Sequence, residues 1–294
     1  MNSDMIYSKN LTLHKADLFR SGQLTTSAMF RLLQDVSDEH TEALGCGADE
    51  MESRGLLWII ARQDAEILRM PAEGEEIVIT TWVGRSRHMI YPRYYTITDA
   101  DGNIIVRARS IWSFMDARTR GLITADKIPF EFEGIETGEE IDVRGRLKKG
   151  QRAVRIRMTE GLQSDSAKSS GRPDAPTDSG ADSITPTDSG ANSITPTDSG
   201  AEQLCIEFTV PHEYIDRNGH MNNARYFDAC DLILPSSAVG AAPTYISAQY
   251  SVEAYEGESL TVKLAAAEGK DYSISIESER GTHFRARILS YEPL

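Results

Sequence analysis

The chain has 294 residues, of which 40% are hydrophobic and 26% charged, and its formal net charge at pH 7 is −14. So acidic a chain is repelled by nucleic acids and acidic membrane surfaces, which argues against partners of either kind. No apolar run approaches the roughly 20 residues of a membrane-spanning helix. The first ten residues lack the basic and apolar segments of a signal peptide. We therefore expect a soluble, cytoplasmic protein with no membrane span.

The predicted elements begin with a strand over residues 5–14. Apolar residues then recur at steps of three and four from Met29 to Leu44, which predicts a helix. Four strand-like segments follow, at 56–68, 76–84, 88–99 and 102–116, and the turn DADGN at 99–103 joins the last two. One helix followed by several antiparallel strands predicts a sheet wrapped around that helix.

Two unusual segments follow the last of these strands. The run RGRLKKGQRAVRIR at 144–157 has seven basic residues and no acidic one. It is either a solvated strand or hairpin, or a docking patch for an acidic partner. Residues 160–203 contain a ten-residue repeat rich in Pro, Thr, Asp, Ser and Gly, which has too little apolar surface to fold. We predict a disordered linker that separates residues 1–159 from residues 204–294.

The segments on either side of the linker repeat the same pattern. Three pairs of blocks recur in the same order: FRSGQLTTSAMF (19–30) with DRNGHMNNARYF (216–227), EGEEIVI (73–79) with EGESLTV (256–262), and VRARSI (106–111) with FRARIL (284–289). Their offsets are 197, 183 and 178 residues. We predict a tandem duplication, with the second copy paired to the first as a built-in dimer. The sequence leaves open whether two chains pair again as a homodimer.

The two copies differ in their titratable side chains. The turn before the second helix carries Asp216, Asn218 and His220. The matching positions of the first copy are Phe19, Ser21 and Gln23. In the block before the second EGE, Glu253 stands where the first copy has Met70, and we expect it on a strand. Because the scaffold residues match while the titratable ones do not, we predict one working site and one decayed site.

These residues resemble the acyl-acyl carrier protein (acyl-ACP) thioesterases. The family's pattern D-x-N-x-H-x-N-N-x-x-Y runs unbroken from Asp216 to Tyr226. Its first-half features correspond to Gln34, His40, Trp58, Thr81, Trp82, Ser110, Trp112 and Asp116. The resemblance covers both halves. It implies an α+β tandem double hot-dog, each half an antiparallel sheet around a central helix, with the substrate pocket in the first half around residues 57–116.

The resemblance also implies an activity, the hydrolysis of fatty acyl-ACP to free fatty acid and ACP in fatty acid biosynthesis. The acyl carrier protein is then the partner, and the family's carrier is acidic. Its candidate docking residues are the basic run at 144–157 and Arg85, Arg87, Arg118 and Arg120. An acyl-CoA thioesterase and a non-catalytic acyl-binding hot-dog protein are the alternatives.

Catalytic roles follow for Asp216, Asn218, His220 and Glu253. Glu253 is the general base beside an apolar acyl pocket, and His220 polarises the thioester or protonates the departing thiolate. Asn218 binds the water or the carbonyl oxygen, and Asp216 orients Asn218 or His220. A covalent intermediate on Glu253 stays open.

Other reactive groups are assigned structural roles or are absent. We expect Asn222 or Asn223 to cap the helix that follows the turn. The three cysteines are scattered and lack metal-site spacing, and Ala254 stands where plant relatives often carry a cysteine. The chain has no G-x-S-x-G, phosphate-loop or dinucleotide-binding motif. We predict no metal and no cofactor.

Overall fold

The structure is a computed structural model. It describes residues 6–14, 18, 22–124, 127–128, 193–196, 202–235, 244–266 and 271–290. The basic run at 144–157, most of the predicted linker, and the turn residues Phe19 and Ser21 lie outside the described residues.

The first half contains all the predicted elements. They are β1 (Ile6–Thr12), α1 (Thr26–Ala43), α2 (Ala48–Ser53), β2 (Leu56–Ile67), β3 (Glu76–Val83), β4 (Tyr91–Thr98), β5 (Ile104–Asp116) and β6 (Leu122–Ile123). Helix α1 begins where Thr25 caps it, because the Thr25 hydroxyl accepts from the Ala28 N–H at 3.0 Å. Its predicted apolar stripe is buried. The short elements α2 and β6 were not predicted.

The second half repeats the order with shorter connections. Its elements are β7 (Ser193–Pro196), β8 (Glu202–Thr209), a 3-10 turn at His212–Tyr214, α3 (Arg225–Ile233), β9 (Thr244–Tyr250), β10 (Ser259–Ala266), β11 (Asp271–Ser278) and β12 (Gly281–Ser290). Strand β7 and the first two residues of β8 fall within the predicted linker, and β7 pairs with β8.

The strands of both halves form one antiparallel sheet. Within the described residues the order is β1-β3-β4-β5-β2-β9-β12-β11-β10-β8-β7, with β6 added beside β5. The five strands of the first half therefore reappear in reverse order after the β2–β9 junction. There, residues 62–67 pair with residues 249–244. The predicted built-in dimer takes the form of a continuous sheet.

Equivalent backbone hydrogen bonds confirm the duplication. In the first half the Leu24 N–H donates to the Pro71 carbonyl at 3.0 Å, and in the second half the Met221 N–H donates to the Ala254 carbonyl at 2.8 Å. The donors are 197 residues apart and the acceptors 183 residues apart, which are the offsets read from the sequence. The same turn-to-loop contact is thus built twice.

The two helices pack against each other inside the sheet. Phe30 and Phe227, equivalent at the offset of 197, are both buried and stack with their ring centroids 4.0 Å apart. Beside them, the Ser27 hydroxyl donates to the Ala224 carbonyl at 3.2 Å, and the Ser27 N–H donates to Asp231 Oδ2 at 3.1 Å. A carboxylate at the first turn of α1 accepts from its unpaired N–H groups.

This buried carboxylate gives the fold a pH dependence. Burial raises the pKa of Asp231 from 3.8 to about 6. Since the folded chain holds the proton more tightly than the unfolded chain, the contribution to stability is complete below about pH 4 and is lost as the pH rises through about 6.

We expect Asp231→Asn to remove that loss, because the amide oxygen can still accept from Ser27 without carrying charge. Between pH 4 and 6 the free energy of unfolding of the wild type should fall, relative to the variant, by roughly 2 to 3 kcal/mol. Chemical denaturation across this pH range measures the difference. Parallel pH profiles for the two proteins would contradict the assignment.

Candidate active site

The turn at 216–220 is closed by its own backbone. The Asp216 N–H donates to the His220 carbonyl at 2.9 Å, and the Gly219 N–H donates to the Asp216 carbonyl at 3.0 Å. Gly219 has φ of +80°, in the left-handed region that glycine enters at least cost. Asp216 Oδ1 also accepts from the Asn218 N–H at 2.8 Å. The sequence therefore folds here into a tight turn with Asp216 and His220 side by side at its base.

His220 lies between two carboxylates. Its Nδ1 is 3.6 Å from Asp216 Oδ2 and 3.4 Å from the Met221 carbonyl, and its Nε2 is 3.7 Å from Glu253 Oε1. The imidazole is partly buried, with 15% of its side chain exposed. The separations of 3.6 and 3.7 Å both exceed the length of a direct hydrogen bond. A small movement of the side chains, or a group bound between them, would connect the three residues by hydrogen bonds. The structure thus aligns Asp216, His220 and Glu253.

Glu253 does not lie on a strand as predicted. Strand β9 ends at Tyr250, and the chain leaves the sheet after the Ser251 N–H donates to the His283 carbonyl at 2.9 Å. Glu253 follows in the loop that leads to β10. The alternating pattern that suggested a strand continues past the last residue with a sheet partner. The loop carries the Glu253 side chain to the turn at 216–220.

The surroundings of Glu253 are polar rather than the expected apolar pocket. Its Oε1 accepts from the guanidinium of Arg120, which belongs to the first half, and its Oε2 accepts from the Tyr255 hydroxyl at 2.9 Å. Arg280 donates to the Glu253 backbone carbonyl at 3.0 Å and lies over the Tyr255 ring, 4.7 Å from its centroid. Both oxygens and the backbone of this glutamate are therefore fixed.

The three asparagines of the motif differ in where they lie and in what they contact. Asn218 is exposed at the tip of the turn. Asn222 Oδ1 accepts from the Ala224 N–H at 2.9 Å, whereas α3 begins at Arg225 with Ala224 as its N-cap and no side-chain capping bond. Asn222 therefore caps the turn that leads into the helix rather than the first turn of the helix itself. The Asn223 carbonyl accepts from the Tyr250 hydroxyl at 3.2 Å.

Where it is described, the first copy keeps the glycine conformation and the turn-to-loop hydrogen bond but has other side chains. Gln23 occupies the position of His220, and Met70 occupies that of Glu253 and is buried with 4% exposure. The positions matching Asp216 and Asn218 lie outside the described residues. Where the structure can be compared, the first copy has no titratable pair.

Trp58 and Trp112, two first-half residues of the family pattern, lie in a packed aromatic cluster. The Trp58 ring contacts Phe114 with centroids 3.8 Å apart, and its Nε1 donates to the Cys46 carbonyl at 3.0 Å. The Trp112 Nε1 donates to Ser110 Oγ at 2.6 Å. His40 is buried on α1, with its Nδ1 2.8 Å from Arg93 Nη1. Asp116 caps the turn after β5, accepting from the Arg118 and Thr119 N–H groups at 3.0 and 2.6 Å.

Three residues that contact Glu253 were not assigned to the site from the sequence: Tyr255, Arg120 and Arg280. Tyr255 could have been found, because it replaces Ala72 of the first copy in a block that was already aligned. Arg120 was assigned to carrier docking instead. Arg120 lies outside the three aligned blocks, so comparison of the copies gives no signal for it.

The described part of the chain offers no ligand set for a metal: it contains no group of three or more His, Cys, Asp or Glu side chains placed to hold an ion. In the same part, no helix is long and apolar enough to cross a membrane.

Residues 4–129 match the family model described as the acyl-ACP thioesterase N-terminal domain. The chain is 34% identical over 110 residues to the chloroplastic acyl-(acyl-carrier-protein) hydrolase FATB3 of Cuphea viscosissima, covering 35% of this chain and 26% of that protein. It is 27% identical over 134 residues to the chloroplastic palmitoyl-acyl carrier protein thioesterase of Cuphea hookeriana, covering 43% and 32%. The matches thus span about a quarter to a third of these relatives.

Two solved structures extend the likeness over nearly the whole chain. An acyl-ACP thioesterase from Bacteroides thetaiotaomicron superposes with a TM-score of 0.66 at 17% identity, covering 98% of each chain. The 12:0-ACP thioesterase from Umbellularia californica gives a TM-score of 0.66 at 18% identity, again over 98% of each. The fold is therefore the double hot-dog predicted from the sequence.

Two glycine substitutions test whether the turn at 216–220 sets the position of His220. Gly219 and Gly22 are equivalent, with φ of +80° and +78°, and an added Cβ would meet no atom within 4 Å at either site. We expect Gly219→Ala and Gly22→Ala to lower the free energy of unfolding by a similar amount, about 1 kcal/mol, because both force alanine into the left-handed region. Thermal and chemical unfolding measure this.

Only Gly219→Ala should also move the NMR signals of the His220 imidazole, since only that glycine lies between Asp216 and His220. Unchanged His220 signals in a destabilised Gly219→Ala protein would show that the turn does not position the imidazole.

Proposed function

We propose that the chain is an acyl-ACP thioesterase, whose N-terminal domain model matches residues 4–129, and that it hydrolyses fatty acyl-ACP to a free fatty acid and the carrier thiol. The observation that carries the proposal is the alignment of Asp216, His220 and Glu253, with atom separations of 3.6 and 3.7 Å. A protein that only binds acyl chains needs no such series of titratable groups. The first copy, which keeps the scaffold, has Gln and Met at two of these positions.

In the proposed reaction, the Glu253 carboxylate accepts a proton from water as that water attacks the thioester carbonyl carbon. A carboxylate has about four lone-pair positions, so bonds from Arg120 and Tyr255 leave room for a proton from water. The carbonyl oxygen becomes an oxyanion, and we assign the Asn218 amide, exposed at the tip of the turn, as a donor to it.

His220 supplies the proton that the leaving thiolate needs. Its Nε2 faces Glu253 and its Nδ1 faces Asp216. After the thiol departs, the neutral imidazole can recover a proton from Glu253, and both groups return to their starting states. Asp216 keeps the ring oriented and holds the turn through the Asn218 N–H.

The substrate is proposed to be presented by an acidic carrier protein. Arg85, Arg87 and Arg118 are exposed on the first half and remain candidates for docking. Acyl-CoA, which carries the same thioester on the same thiol arm, is the alternative substrate. The cytoplasmic location and the homodimer considered from the sequence stay predictions.

Glu253→Gln tests the proposal because glutamine keeps the shape of the side chain and cannot accept the proton. We expect the wild type to release thiol from acyl-ACPs faster than from matched acyl-CoAs, and the variant to be slower by about 10² to 10⁴-fold. A thiol-reactive dye measures release.

Glu256→Gln is the matched control, because Glu256 is three residues away, is 59% exposed and pairs with the exposed His212. It should retain wild-type turnover. Release from acyl-CoA alone would keep the hydrolase and remove the carrier. Tight acyl binding without release from any thioester would favour the non-catalytic alternative.

A further inference from the structure

Arg120 joins the two halves at the site. It lies on the turn between β5 and β6 of the first half, and its guanidinium donates to Glu253 Oε1 in the second. We propose that Arg120 is a positioning residue that holds the Glu253 carboxylate in place for the reaction, an inference that rests on the proposed function. The half that lacks the titratable pair would then still supply one residue to the working site.

The backbone at Arg120 has an uncommon conformation, which accompanies the contact of its side chain with Glu253. Its φ is +57°, in the left-handed region that residues other than glycine rarely occupy, although a glycine follows immediately at 121. The turn is held by Asp116, whose carbonyl accepts from the Arg120 N–H at 2.9 Å. A strained residue of this kind persists where its side chain has a purpose, and strained positions cluster at functional sites. Here the side chain crosses to the other half.

The contact also keeps Glu253 away from His220. Both the guanidinium and His220 Nε2 face the same atom, Glu253 Oε1, and the imidazole stands 3.7 Å from it. Without Arg120, Glu253 Oε1 would still face His220 Nε2, and a direct hydrogen bond between them would close that gap. Such a pair would occupy both the base and the proton donor. Arg120 therefore keeps the two groups apart so that reacting atoms can enter between them.

Tyr255 and Arg280 complete the arrangement from the second half. The Tyr255 hydroxyl holds Oε2, and Arg280 holds the Glu253 carbonyl and pairs with Glu258 at 3.0 Å. These contacts fix the loop but leave Oε1 to Arg120 and His220. Arg120 is thus the contact that decides where Oε1 points.

A docking role for Arg120 makes a different prediction from a positioning role. A docking cation affects only substrates on the carrier, and mainly through KM. A positioning residue affects every thioester, and mainly through kcat. The comparison therefore uses acyl-ACP and a carrier-free acyl-pantetheine with the same acyl group.

Arg120→Gly is the main variant, because glycine accepts the backbone conformation at 120 without strain. Arg54→Ala is the charge-matched control, because Arg54 is an arginine with 42% of its side chain exposed that pairs with Glu50 on α2 and not with Glu253. We expect Arg120→Gly to lose 10- to 100-fold in kcat on both substrates, Arg120→Lys to keep more of the rate, and Arg54→Ala to keep the wild-type kcat. Added guanidinium ion should restore part of the activity of Arg120→Gly.

A change in KM for acyl-ACP alone, or unchanged kinetics, would overturn the proposal. Thermal unfolding of wild type, Arg120→Gly, Glu253→Gln and the double variant tests the contact without turnover. We expect the two melting-temperature shifts not to add in the double variant, and additive shifts would also overturn the proposal. If the wild type hydrolyses no thioester, the proposed function fails, while this cycle still decides whether Arg120 holds Glu253.

Discussion

The pairing of β2 with β9 is the interaction on which the rest of the structure depends. Residues 62–67 and 249–244 join two five-stranded sheets edge to edge, so neither half leaves that edge open. The junction places both helices on the same side of the sheet, where Phe30 stacks on Phe227. It also fixes the distance between the turn after β5 in one half and the loop after β9 in the other. Only then can Arg120 reach Glu253.

The two halves share backbone contacts at the candidate site but differ in its titratable side chains. The backbone bonds from Leu24 to Pro71 and from Met221 to Ala254 are equivalent, so both halves offer a glycine turn held against a loop. Only the second places a histidine on that turn and a glutamate on that loop. The first instead fills the loop position with the buried Met70, which contributes to the apolar core. The same backbone arrangement therefore carries the candidate site in the second half and a buried core residue in the first.

The sequence predicted the parts of this structure that depend on local pattern. The stripe from Met29 to Leu44 predicted α1, and alternation with turn residues predicted the long strands. The aligned blocks predicted the duplication, and their differences identified Asp216, His220 and Glu253. The strand assignment of Glu253 failed because alternation does not reveal where a strand loses its partner. The Arg120 contact was not predictable because it depends on how far a turn in one half projects across the junction to the other.

A crystal structure with an acyl chain joined to pantetheine through an amide would test whether the thioester reacts between His220 and Glu253. The amide suits this purpose because it resembles the thioester and resists hydrolysis. We expect a single bound molecule whose carbonyl lies beside Asn218 and His220. The Glu253 carboxylate should face the carbonyl carbon while still bonded to Arg120. A carbonyl bound at the Gln23 and Met70 positions of the first half, or one distant from Glu253, would contradict the assignment of the site to the second half.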